Sequence, residues 1–227
     1  MGFFTLAEWQ SMLELSFLIF LTAFIGGFFS SIPLGPINLW IINSSLTQET
    51  RKAVKPFVIG VVLADAFFAF IAILGYYTIF KEVLSNRLII LSGGSFLLFL
   101  GVYTLFQALS KKEKKHQTGV PPKLTSVSTI KYFSLGLFLC GSNPGFLMFW
   151  VFFVGLSGSL FHTHFSSHMG PLFIAGVVLG DIFWFKGLSH YTSKYTTNLS
   201  SKLLRTFHLV ASLVFITFGV ISIVRHL

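Results

Sequence analysis

Two aspartates stand in stretches of chain where a carboxylate is costly. Asp65 lies in FVIGVVLADAFFA at 57–69, and Asp181 lies in FIAGVVLGDIFWF at 173–185. Seven of these thirteen aligned positions are identical, at a constant offset of 116. An ionised carboxylate inside hydrocarbon costs about 2.5–3.5 kcal/mol on insertion scales, and such residues usually face a cavity or a relay. The chemistry open to such a pair is binding of a cationic group: a substrate ammonium, a proton or a metal ion. A purely structural role also fits, in which each Asp caps a broken helix or bonds to a Ser or Asn.

Two Gly/Pro breaks form the second constellation. Pro33, Leu34, Gly35 and Pro36 interrupt the uncharged run 15–46, and Asn143, Pro144 and Gly145 interrupt the run 132–161. Proline removes a backbone donor and clashes with the preceding turn, so it kinks or ends a helix. Unwound backbone at membrane depth survives only in a protein interior or against water. A helix restarted there aims free N–H groups at the cavity and suits an anionic group. Breaks for a carboxylate and aspartates for an ammonium together make a zwitterion site. Asn38, Asn43 and Asn143 sit close to the breaks and, taken singly, suit capping of freed backbone groups.

The elements that position these residues follow from composition. Of 227 residues, 54% are hydrophobic and 10% are charged, with 29 phenylalanines against seven acidic residues. A soluble domain carries roughly a quarter charged residues. Lipid must therefore be part of the solvent. A helix needs about 20 apolar residues to span the hydrocarbon core, and the uncharged runs give six candidates, near 15–38, 57–80, 87–109, 132–156, 170–191 and 204–225. The strict alternation of a membrane β-barrel is absent. From these spans Asp65 is about 12 Å deep and Asp181 about 16 Å deep at 1.5 Å per residue.

The similarity extends beyond the aspartates. FLGVY at 99–103 matches TFGVI at 217–221, and a Gly/Pro break precedes each copy. Three helices per copy is an odd number, so the second copy enters the membrane with opposite polarity, the inverted-repeat plan of many secondary transporters. The fold expected is all-α and integral to the membrane, six transmembrane helices as two inverted three-helix repeats with broken first and fourth helices. Its parts are residues 1–110, a linker at 111–129, and residues 130–227. The linker is hydrophilic and Pro-containing, as a mobile connector is, and its basic cluster suits anionic headgroups.

The formal net charge of +9 resides in short loops, which excludes a nucleic-acid patch. Twelve basic residues (Arg51, Lys52, Lys55, Lys111, Lys112, Lys114, Lys115, Lys123, Lys131, Lys194, Lys202 and Arg205) fall on one side of the expected topology. Three (Lys81, Arg87 and Arg225) fall on the other. The positive-inside rule then places both termini outside the cytoplasm. The first apolar run lacks a basic leader and is read as a retained helix.

Other chemistries find little support. The lone Cys140 allows no internal disulfide or CxxC pair, and no GxxxxGK[ST] loop or HExxH string is present. Neither a cofactor nor an enzymatic activity is expected. His162, His164 and His168 have a spacing that could suit a surface metal, but no acidic or thiol group stands near them. A divalent-metal exporter is the rival reading, resting on Asp65, Asp181, Cys140, His190 and His208 as ligands. Lys186 is expected to snorkel toward the headgroups.

The succession IPLGPINLW at 32–40, a basic loop, GVVLAD at 60–65 and GSNPGFLMFW at 141–150 resembles the lysine-exporter (LysE/RhtB-type) translocator family along nearly the whole chain. The resemblance implies a bacterial inner-membrane exporter of amino acids, basic or small neutral, driven by an ion gradient, and a homodimer; some relatives move cadmium. It also implies that Gly35, Pro36, Asn38, Asn143, Pro144, Asp65 and Asp181 line the path. Leu34, intervening where the family commonly has Pro-Gly-Pro, is a departure.

Overall fold

A computed structural model describes residues 6–33, 35–78, 87–109, 128–161, 169–194 and 201–226. The His162/His164/His168 loop, Leu34 and linker residues 110–127 lie outside the described residues. Among the described residues there are eight helices and no strand: α1 Leu6–Ser30, α2 Pro36–Ser45, α3 Gln48–Thr78, α4 Arg87–Leu109, α5 Thr129–Gly141, α6 Pro144–Phe161, α7 Met169–Lys194 and α8 Ser201–His226.

Four of them are individually long and apolar enough to cross a membrane: α1, α3, α7 and α8. The α5–α6 pair makes a fifth if its 62° bend is taken as one broken span, and α4 holds a shorter apolar stretch, Leu91–Phe106. The chain is a multi-pass, all-helical membrane protein. Large apolar side chains such as Phe17, Phe67, Phe106 and Phe183 are more than half exposed, an outer surface that suits acyl chains.

Helix ends differ from the uncharged runs. The expected span 57–80 begins earlier, at Gln48, so Arg51, Lys52 and Lys55 ride on the first turns of α3 rather than in a loop. Lys131 likewise sits in the first turn of α5, where Ser128 accepts a hydrogen bond from the Lys131 N–H at 3.4 Å. Lys194 ends α7, and Arg205 lies near the start of α8. The reason is that a helix continues through the polar headgroup layer, where charge is solvated, while an apolar run stops at the hydrocarbon edge.

Three tight seams hold the helices together, each built on glycine. In the α3–α5 seam, a Cβ on Gly60 would sit 2.1 Å from the Phe133 carbonyl oxygen, and one on Gly136 would sit 2.1 Å from that of Phe57. In the α1–α7 seam, Phe20 faces Gly176 and Phe24 faces Gly180, so these helices run parallel. In the α4–α8 seam, Gly94 meets Gly219 and Gly101 meets Ile216, so these run antiparallel. Without bulky side chains the backbones approach closely and gain dispersion contact, which drives association where lipid is as apolar as leucine. Gly26 and Gly93 pack on Phe153 and Phe152. Like Gly27 and Gly94, they are used within the chain.

Candidate functional site

The first break is shaped by one amide. α1 ends at Ser30, and α2 restarts with Pro36 at its first turn behind an extended Gly35, φ −99° and ψ −176°. The Asn38 Nδ2 reaches back to donate to the carbonyls of Ser31, at 2.6 Å, and Pro33, at 2.9 Å. Its Oδ1 accepts from the Trp184 indole at 3.2 Å. Asn38 is 2% exposed, so these bonds replace the water that unwound carbonyls would otherwise need. At the second break Asn143 Oδ1 accepts from the Gly145 N–H at 3.0 Å and so caps the start of α6. Both asparagines act as caps.

The two breaks meet at one cavity of about 260 Å³. Pro33, Gly35, Pro36 and Asn38 line it from the first, and Asn143 and Gly145 from the second. The rest of the wall includes Ser30, Ser31, Tyr103, Thr104, Leu139, Phe146, Phe149, Phe185 and Phe215.

The aspartates stand behind that wall. Asp65 is 1% exposed and Asp181 is fully buried. Asp65 Oδ1 accepts from the Trp150 indole at 2.7 Å, and Trp150 packs edge-on against cavity-lining Phe149, ring centroids 5.1 Å apart. Asp181 Oδ1 accepts from the hydroxyl of Ser31, itself in the cavity wall, at 2.9 Å. The two carboxyl groups are close enough to interact electrostatically. Among the described residues no N–H or hydroxyl donor reaches Asp65 Oδ2 or Asp181 Oδ2. Two like charges that close, with no cation beside them among the described residues, are costly together.

The structure thus brings Gly35, Pro36, Asn38 and Asn143 to one cavity, with Pro144 opening α6 beside it, and sets Asp65 and Asp181 just beneath. Ser31, Trp150 and Trp184 were not foreseen. A buried indole N–H seeks an acceptor, and the tryptophans at 150 and 184 were that signal. Of the aromatic trio at 183–185, Phe183 points outward at 65% exposure, Trp184 braces Asn38, and Phe185 narrows the cavity. Lys186 is exposed. Among the described residues no group of three His, Cys, Asp or Glu side chains is arranged to hold a metal ion.

The profile of the LysE type translocator family matches residues 28–225. The chain belongs to that family. This translocator is 26% identical over 204 residues to a Bacillus subtilis (strain 168) protein whose name reads "Putative amino acid efflux protein YcgF", covering 88% of this chain and 93% of that one. No solved structure matches the translocator. Membership makes the chain a transporter rather than an enzyme, and the cavity between its broken helices is the candidate translocation site.

Proposed function

We propose that this translocator is a secondary-active exporter of amino acids or related cationic and zwitterionic solutes, working by alternating access and driven by an ion gradient. The observation that carries the reading is the meeting of two broken helices at one cavity, with a pair of buried carboxyl groups immediately behind it. The name of the Bacillus relative supports the amino-acid cargo.

On this reading the chain has six spans in two inverted three-helix repeats, α1–α2 and α5–α6 each being one broken span. The directions of two of the glycine seams support it, because α1 and α7 run parallel while α4 and α8 run antiparallel. Movement of one repeat against the other exposes the cavity to each side in turn. Asp65 and Asp181 give up or take up a proton during that movement, or exchange it for the substrate ammonium. The protein resides in the bacterial inner membrane with both termini extracytoplasmic, and two copies form a dimer. The divalent-metal exporter stays the rival reading, with the soft Cys140 thiol beside the hard carboxyl pair as its ligands among the described residues.

Proteoliposomes preloaded with a panel of radiolabelled amino acids test the reading. Wild-type protein is expected to release an amino acid faster under an imposed pH gradient, and Asp65→Asn and Asp181→Asn are each expected to abolish the release while remaining folded. Transport that persists in both variants would return the aspartates to a structural role. Efflux of Cd²⁺ in place of any amino acid would favour the metal reading.

A further inference from the structure

The cavity wall speaks to which solute fits. Among the described residues that line it, none is Lys, Arg, His, Asp or Glu. Its apolar part is built from Leu139, Phe146, Phe149, Phe185 and Phe215. Its serine and threonine hydroxyls have already committed their hydrogens: Ser30 Oγ donates to the Gly27 carbonyl at 2.9 Å, and Thr104 Oγ1 donates to that of Leu100 at 2.8 Å. Ser31 Oγ donates to Asp181. What these three oxygens still offer a ligand is lone pairs, so this part of the polar edge accepts from a donor-only group such as a single ammonium, while the Tyr103 hydroxyl and the Asn143 amide on the same wall carry donors.

Among the described lining residues a side chain carrying a second charge meets no opposite charge. Burying an unpaired charge is among the costliest events in binding, which disfavours lysine, arginine, aspartate and glutamate. A branched or aromatic hydrocarbon side chain instead finds the ring faces it needs. At about 30 Å³ of liquid per water, the space equals on the order of nine waters, enough for one amino acid.

Resting on the exporter reading, we propose that the substrate class is net-neutral amino acids with a bulky apolar side chain, from leucine to phenylalanine in size. The α-ammonium lies against the oxygens of Ser30, Ser31 and Thr104, the α-carboxylate faces the donors of Tyr103 and Asn143, and the side chain lies among the phenylalanines.

The test is efflux from proteoliposomes loaded singly with leucine, phenylalanine, alanine, lysine, arginine or glutamate at matched concentration. Leucine or phenylalanine is expected to leave roughly tenfold or more faster than any charged amino acid. Faster efflux of lysine, arginine, glutamate or alanine overturns the substrate class and leaves the exporter reading standing. No efflux of any of the six overturns both. Two variants check that this cavity sets the ranking: Phe146→Trp is expected to move preference from phenylalanine toward leucine, and Leu139→Asp to raise lysine efflux relative to leucine. A ranking unmoved by both, in folded protein, also overturns the assignment. The wild-type ranking alone decides the matter if either variant fails to fold.

Discussion

The carboxyl group of Asp65 depends on a single indole. Trp150→Phe keeps the ring bulk but removes the donor at 2.7 Å, leaving Asp65 Oδ1 without that bond in a buried site. Removing one partner of a buried hydrogen bond costs about 1–3 kcal/mol, expected as a lower thermal midpoint for the detergent-solubilised protein. Ser31→Ala does the same to Asp181. Since the two carboxyl groups interact, the double variant is expected to depart from the sum of the singles by about 0.5 kcal/mol or more; strict additivity would show that the pair is not coupled. The aspartates were legible in the sequence because a carboxylate in an apolar stretch is conspicuous. Their partners were not, because Trp150 lies 85 residues from Asp65 and Ser31 lies 150 from Asp181. No local pattern joins residues so distant, and serine is unremarkable in a membrane helix.

Between helices, the decisive atoms are those a glycine lacks. Gly136→Ala would bring a methyl group 2.1 Å from the Phe57 carbonyl oxygen, a backbone atom that cannot swing aside. Separating α3 from α5 to admit it is expected to cost about 1–3 kcal/mol or more, read as loss of folded protein in size-exclusion profiles. Gly187→Ala, where nothing lies within 4 Å, is the control; it is expected to be neutral or to stabilise α7 by up to about 1 kcal/mol through helix propensity. The breaks could be foreseen because glycine and proline cluster there; a lone proline is not enough, since Pro56 lies inside continuous α3. Helix ends could not, because the uncharged run marks hydrocarbon and the helix outlasts it. The seams were likewise hidden: glycine in a membrane segment reads the same whether it faces lipid, a kink or another backbone, and only the fold shows that Gly27 and Gly94 are spent inside the chain.

For the molecule as a whole, orientation is the open quantity that charge addresses. Cys140, the one cysteine in the sequence, is fully buried, so wild-type protein is expected to resist a membrane-impermeant maleimide. Against that silent background, Gln10→Cys near the start of α1 is expected to label in intact cells. Gln48→Cys, at the start of α3, is expected to label only after permeabilisation. The reverse pattern would place the termini in the cytoplasm. The basic excess was readable because topology is decided by counts of Lys and Arg, which need no knowledge of contacts.

The three glycine seams also bear on how the protein is made. Each joins a helix from residues 6–109 to one from residues 128–226: α1 to α7, α3 to α5, and α4 to α8. At ribosomal rates of about 5–20 residues per second, the first three seams' N-terminal faces reach the bilayer several seconds before their counterparts exist. Throughout that interval the grooves at Gly27, Gly60 and Gly94 have lipid for a neighbour, and Asp65 lacks its tryptophan. The first half is therefore expected to stay open to quality-control proteolysis until the helices that follow the linker are inserted. Two fragments divided within that linker and synthesised together are better placed to survive than either one alone.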